Sequence, residues 1–237
     1  MRYFVASLVF LLLSSCLAAQ DFLPDSVVYR LALNQTFAYN DSRIIKTSGL
    51  YTGSQYVRDY YNVKGHPFFQ TDSLEKGDVF YNGVLYRNVN LLYDLSHDNV
   101  ITEYSGDTKI VLIPEKTDYF ILSSHFFERQ ADPLTAGEGF YDLLLNDEIK
   151  ILAKRVKRLN TYSGSPGSIP FFMEIDNYFL YKDSSYHSVN NKKELLEALK
   201  NKKAELKDFI SKNKPDFKRN FENTLIQTAR YYEQISK

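Results

Sequence analysis

The chain has 237 residues with 29 basic and 29 acidic side chains, one cysteine, no tryptophan, 19 tyrosines and 17 phenylalanines. A single cysteine excludes a disulfide framework, so the hydrophobic core must stabilise the fold. The formal net charge of zero and the pI of about 6.9 argue against nucleic acid as a partner, and the many aromatic residues favour a β-sheet.

The first twenty residues have the pattern of a secretory signal peptide. Arg2 supplies a positive charge, residues 3–13 are mostly apolar, and small residues follow up to Ala19. The pattern predicts export to the periplasm or the outer membrane. The apolar run is shorter than the ~20 residues of a spanning helix, and no later stretch is apolar enough, so we expect no transmembrane span in the mature chain.

The position of Cys16 allows two interpretations. Leu-Ser-Ser-Cys at residues 13–16 resembles the bacterial lipobox, in which the cysteine is lipidated and becomes the first residue of a membrane-anchored protein. Alternatively, the leader is cut among residues 18–20 and Cys16 is removed with it. In both cases, any membrane attachment of the mature chain is through lipid alone.

Residues 21–190 form the predicted β-rich domain, and its first part has the weakest pattern. Residues 27–39 fit either a helix or a loose strand, and residues 49–70 are rich in tyrosine and glycine without a clean period. We therefore assign no element before residue 78.

The first clear element is a β-hairpin around Asn82 and Gly83. Two short apolar runs flank this pair, and both residues adopt the positive φ angles that a two-residue type I′ turn needs. The predicted cross-strand pairs are Tyr81 with Val84, Phe80 with Leu85, Val79 with Tyr86, and Asp78 with Arg87. The last pair joins opposite charges, which supports the register.

Short apolar stretches separated by turn residues predict further antiparallel strands. They cover residues 90–95, 100–104, 109–113, 119–123, 140–145, 148–156, 171–175, 178–181 and 186–189. With the hairpin they make roughly ten strands, a number and spacing typical of an antiparallel meander. We expect that this sheet can be curved or barrel-like. A loop is expected around Asp132 and Pro133, and a flexible one over residues 163–168.

The last part of the chain, residues 191–237, predicts a helical hairpin. Asn191 and Glu194 have the spacing of a capping box, and apolar residues then recur at helical spacing to residue 213. A second helix is predicted over residues 216–235. We expect the two helices to pack as an antiparallel pair on one face or end of the sheet, which makes the fold class α+β.

Charge is unevenly distributed along the chain. Residues 1–149 hold 11 basic and 19 acidic side chains, a balance of −8, whereas residues 150–237 hold 18 and 10, a balance of +8. Five cations fall within residues 150–158. Either they protect an edge strand from pairing with other chains, or they face an acidic surface, which could be the protein's own first half. The lysines of residues 200–214 solvate a helix face or contact anionic lipid or polysaccharide.

No catalytic, cofactor or metal signature stands out. The four histidines are His66, His97, His125 and His187, and none has a partner at metal-ligand spacing. No nucleophile elbow or phosphate-binding glycine loop is present. Two pairs of carboxylates are close in sequence, Asp94 with Asp98 and Asp142 with Asp147, but their arrangement in space does not follow from sequence. We therefore assign no catalytic, cofactor-binding or metal-binding residue.

Two groups of motifs carry a resemblance to a family. The first is Gly-His-Pro-Phe-Phe at residues 65–69, followed by residues 81–95, and the second is Tyr181 and Tyr186, followed by residues 192–196 and 203–207. Residues 50–235 thereby resemble uncharacterised exported proteins of Bacteroidota. The resemblance implies a Gram-negative envelope location and carries no established activity.

These observations support three hypotheses about function. We favour a non-enzymatic envelope protein, a binding or structural module whose partner is another envelope protein or a membrane surface. The second hypothesis is a carrier that holds an apolar ligand or lipid in a cavity enclosed by the sheet. The third is a polymer-directed hydrolase, which needs titratable groups that converge in one cleft.

Overall fold

A computed structural model describes residues 49–131, 137–160 and 168–237. Cys16, the leader, residues 27–39, Asp132, Pro133 and most of the predicted loop at 163–168 lie outside these residues. The strands are β1 (Ser54–Gln55), β2 (Glu75–Tyr81), β3 (Val84–Asp94), β4 (Asn99–Ser105), β5 (Thr108–Val111), β6 (Thr117–Leu122), β7 (His125–Gln130), β8 (Gly139–Asn146), β9 (Lys150–Asn160), β10 (Phe171–Lys182) and β11 (Ser185–Ser188). The α-helices are α1 (Lys192–Ala198), α2 (Lys203–Asn213) and α3 (Phe221–Ser236).

All eleven strands belong to one open antiparallel sheet, which confirms the predicted fold class. The strand order is β1-β5-β4-β3-β2-β6-β7-β8-β9-β10-β11. Strands β2 to β5 form one meander and β6 to β11 a second, and the two meanders join where β6 pairs with β2. A short 3-10 turn, Pro114–Lys116, precedes β6.

The hairpin register is confirmed next to the turn and is wrong at its far end. Tyr81, Phe80 and Val79 pair as expected, but the register shifts between Gly77 and Val79. Asp78 does not pair with Arg87, because β3 carries an extra residue there. The Asp78 side chain instead accepts a hydrogen bond from the Asn88 backbone amide, as expected at a β-bulge.

The sheet is strongly curled. β3 and β9 are five places apart in the strand order, yet the Lys157 amide of β9 donates to the carbonyl of Leu95, directly after β3. Aromatic side chains fill the inside of this curl, because alternate residues of adjacent strands point there. Tyr93, Phe120, Phe127 and Phe140 are fully buried or nearly so and contact one another edge-on or stacked.

The helices pack on the end of the sheet formed by β8 to β11, as expected, but their boundaries differ from the prediction. The first predicted helix is interrupted by a 3-10 turn, Lys200–Lys202. The second begins at Phe221 rather than residue 216, because the Asp216 side chain accepts the amides of Lys218 and Arg219 in a turn. The shared core includes Leu180, Leu195, Leu206, Leu225 and Ala229.

Four strands differ from the prediction. β3 is one continuous strand, Val84–Asp94, where the second arm of the hairpin and a separate strand over residues 90–95 were expected. β7 was not predicted, because its apolar run is limited to Phe126 and Phe127 before charged residues follow. β10 is one continuous strand where two were expected, since Asp176 and Asn177 pair with β9 without interruption. β1 has two residues, too few for a periodic signal.

Residues 56–70, which we call the strap, cross the open mouth of the curl. Lys64 forms a parallel bridge with Phe171 at the start of β10, and Phe68 forms an antiparallel bridge with Asp94 at the end of β3. The strap thereby ties the two meanders together. Within the described residues, no helix combines the length and the apolar character needed to cross a membrane.

Candidate functional site

A cluster of charged side chains lies between the aromatic core and the helical core. Asp142 of β8, Arg155 of β9 and Asp176 of β10 share one face of the sheet, because Asp142 pairs with Ala153 and Arg155 pairs with Asp176. Glu222 approaches the same point from the first turn of α3. Three consecutive strands and the third helix therefore place one charged side chain each at this site.

Arg155 binds all three carboxylates of the cluster. Its Nη2 lies 2.5 Å from Asp142 Oδ2 and 2.8 Å from Glu222 Oε2, and its Nη1 lies 3.0 Å from Asp176 Oδ2. Its Nε also donates to Asp142 Oδ2 at 2.9 Å. The side chains of Asp142 and Arg155 are 1% and 7% exposed, so this pair forms in a poorly solvated environment where an unpaired charge is costly.

Burial and charge act on the pKa values of this cluster in opposite directions. Burial lowers the pKa of Arg155, but the carboxylates of Asp142, Glu222 and Asp176 outweigh it and the pKa is raised. Burial raises the pKa of Asp176, against the effect of Arg155. The pKa of Tyr178 is raised by burial and by the nearby Glu222. The Glu222 carboxylate accepts a hydrogen bond from the Tyr178 hydroxyl.

His125 of β7 extends the cluster toward the strap. Its Nδ1 lies 2.7 Å from Asp142 Oδ2, so the neutral imidazole carries its proton on Nδ1. Its Nε2 lies 3.3 Å from the side-chain amide of Gln70. The ring of Phe69 meets the imidazole edge-on at 4.9 Å and lies 6.0 Å from the Arg155 guanidinium. Both ring nitrogens are thus engaged and Phe69 lies beside the cluster.

A second histidine–carboxylate group lies at the turn between β3 and β4. His97 Nδ1 is 2.9 Å from Asp94 Oδ2, and its Nε2 is 3.2 Å from Asp59 Oδ2 of the strap. Asp94 is fully buried, and its carboxylate also accepts hydrogen bonds from the backbone amides of Ser96 and His97. The hydrogen bond to Asp94 raises the pKa of His97 against the effect of burial. His97 therefore fastens the strap to the turn.

The basic run on β9 faces acids of the first half of the chain. Lys150 pairs with Glu128 and Lys154 with Asp98, as Arg155 does with Asp142. The interpretation as an edge strand is wrong for β9 as a whole, because β9 lies between β8 and β10, although its ladder with β8 covers only residues 150–153. The alternative, an acidic surface of the protein's own first half, holds for Lys150, Lys154 and Arg155. Lys157 instead faces Glu174 of the second half.

The remaining residues singled out by sequence lie apart from the cluster. His66 stacks on Phe68, and burial lowers its pKa. His187 is on β11 beside Ser185. Asp147 lies in the turn after β8, where its backbone amide donates to the Ile149 carbonyl. Among the described residues, no group of histidine, cysteine, aspartate or glutamate side chains has a metal-binding arrangement.

Two residues of the cluster carry a signal that the sequence analysis missed. Asp142 interrupts the apolar run of residues 140–145, and Arg155 falls on the inward face of a strand that otherwise buries Ile151 and Ala153. Charged residues at inward positions are buried, and buried charges are paired. That reasoning identifies two members of the cluster but not their partners.

Chemically, the arrangement is a crosslink between strands, a helix and the strap. A cavity of about 230 Å³ lies elsewhere, between the β2 bulge and the β6–β7 turn, with a polar lining that includes Lys76, Asp78, Asn88 and Ser123.

No known family model, curated protein or solved structure matches this chain.

Proposed function

We propose that this chain is an exported, non-enzymatic protein of the cell envelope that acts as a binding or structural module. One observation carries the proposal. The cluster that most resembles an active site, His125 with Asp142, has its carboxylate bound by Arg155 and its imidazole held by Gln70. An imidazole and a carboxylate whose hydrogen bonds all go to neighbouring side chains favour a role in stabilising the fold.

The other two hypotheses gain less from the geometry. A carrier of an apolar ligand needs an apolar cavity, but aromatic side chains fill the inside of the curl, and the 230 Å³ cavity is polar. A hydrolase needs titratable groups in one cleft, but His97 and His125 each bind a different buried aspartate. The envelope location rests on the leader pattern and on the resemblance to exported Bacteroidota proteins, and both are part of the proposal.

The test is cell fractionation of the full chain expressed in a Gram-negative host. We expect the protein in the envelope fraction with its leader removed. If the Cys16→Ser variant leaves the membrane pellet or keeps its leader uncleaved, while the neighbouring Ser15→Ala variant does neither, Cys16 is the lipid anchor. If both variants behave like the parent protein, the leader is cut beyond Cys16. An intact Met1 on a cytosolic product would contradict the proposal.

A further inference from the structure

Exposed apolar side chains concentrate at one end of the molecule. Among the described residues, seven large apolar side chains are strongly exposed, and five of them lie on the strap or beside the far end of the β9–β10 hairpin. These five are Val57, Tyr61, Leu159, Ile169 and Met173, and the other two are Tyr104 and Tyr181. Single exposed apolar residues need no explanation, but a group of them marks an interaction site.

Backbone and ring contacts bring the strap and the hairpin end together. Lys64 of the strap donates its amide to the Pro170 carbonyl at 2.8 Å, and the rings of Tyr60 and Phe172 meet edge-on at 5.2 Å. Tyr61 and Ile169, which are 75% and 62% exposed, directly adjoin these contacts. We call Tyr61, Leu159, Ile169 and Met173 the tip patch.

The tip patch exposes apolar side chains on both faces of the hairpin. Leu159 pairs with Phe172 on one face, whereas Met173 pairs with Arg158 on the other, and Leu159 is 51% and Met173 40% exposed. A flat protein partner would cover one face of a two-stranded ribbon. A fluid layer into which the hairpin end inserts would contact both faces of the ribbon.

Cations lie beside the tip patch without carboxylate partners. Among the described residues, no carboxylate pairs with Arg58, Lys64 or Arg158. The two nearby acids are engaged, since Asp59 binds His97 and Glu174 faces the Lys157 ammonium at 3.8 Å. Exposed apolar side chains, surrounded by cations that no described carboxylate neutralises, match a surface with an apolar interior and anionic headgroups.

We propose that the tip patch docks onto an anionic lipid surface, with Tyr61, Leu159 and Ile169 at the boundary between headgroups and acyl chains. Arg58, Lys64 and Arg158 contact the phosphates of the headgroups. This inference rests on the proposed function in one respect, because the envelope in which we place the chain supplies the lipid.

The experiment uses the Cys16→Ser chain, so that no lipid anchor contributes, produced with its leader and with its N-terminus established by mass spectrometry. Binding is measured by co-sedimentation with vesicles of phosphatidylethanolamine and phosphatidylglycerol, mixed about three to one, and with vesicles of phosphatidylcholine. The variant Tyr61→Ser/Leu159→Ser/Ile169→Ser is expected to lower the partition coefficient about tenfold or more. Arg158→Gln is expected to lower it about fivefold at low salt.

Tyr181→Ser is the matched control, because Tyr181 is an exposed aromatic on the same strand, eight residues from Met173 or about 26 Å away. It should bind like the parent chain, and circular dichroism should show every variant folded. Equal binding by the triple variant, or equal binding to phosphatidylcholine, would overturn the inference. So would a dimer in light scattering that the triple variant abolishes, since the patch would then join two copies. Cell fractionation tests the envelope location by itself, so a failure of vesicle binding would leave that proposal unaffected.

Discussion

Replacing Arg155 with methionine removes the guanidinium and keeps a stem of similar length. Asp142 then remains buried with His125 as its polar contact. Breaking a buried ion pair by removing one partner costs about 3–5 kcal/mol. Asp142 dominates this figure, because the side chains of Asp176 and Glu222 are 25% and 30% exposed and regain water. For a chain of this size, the melting temperature should fall by roughly 6–20 °C.

The stability that Arg155→Met loses should depend on pH. Without Arg155, burial raises the folded-state pKa of the remaining carboxylates above their unfolded values. Their protonated forms are then tolerated in the fold, so the variant loses stability as pH rises through these raised pKa values. We therefore expect a larger deficit at pH 7 than near pH 4.

Urea unfolding followed by circular dichroism and tyrosine fluorescence measures the deficit, with Arg158→Met as the matched control on the same strand. Arg158 is exposed, so its replacement should change the free energy of unfolding by no more than about 0.5 kcal/mol. If Arg155→Met does not fold, Arg155→Met/Asp142→Asn should restore folding, because it removes both charges. Equal effects of the two methionine variants, or a deficit independent of pH, would refute the reasoning.

Two further predictions concern the strap and a glycine. The raised pKa of His97 contributes stability that is present below about 6.5, its ordinary value, and is lost as pH rises through the folded-state pKa. NMR titration should place this pKa lower in Asp59→Asn, and an unchanged value would argue against the contact. Gly139 has a φ of +133°, and a Cβ there would overlap the Asp98 carboxylate. Gly139→Ala should cost about 2–5 kcal/mol in urea unfolding. Gly83→Ala, which has a φ of +76° and open space around it, should cost about 1–2 kcal/mol, and equal losses would contradict the role of the overlap.

The hairpin and the first helix were predictable because turn and capping residues act within a few positions of the sequence. Asn82 and Gly83 adopt φ angles of +51° and +76°, as the type I′ turn requires, and Asn191 accepts the Glu194 amide as the capping box predicts. The bulge at Asp78 could not be predicted, because it depends on which backbone amide the carboxylate meets across the strand.

The pairing within the charge cluster could not be predicted from sequence, for a different reason. Its members come from positions as far apart as Gln70 and Glu222, and they meet because the sheet curls and the helices fold back on it. The sequence identified β9 as basic and the first half of the chain as acidic. It did not reveal that Arg155 lies between two strands, since an edge and an interior strand can share one pattern.

The strand order allows the sheet to grow in the direction of synthesis. Each strand from β3 onward pairs with one that precedes it in the chain, so none of these strands must wait for a later one before its first ladder forms. The exception at the start is β1, which pairs only with β5. Glu222 joins Arg155 only after the third helix has been made. A purified fragment that ends at residue 220 can therefore complete its backbone ladders while its central arginine still lacks one counter-ion. Such a fragment should have full strand content and reduced resistance to proteolysis.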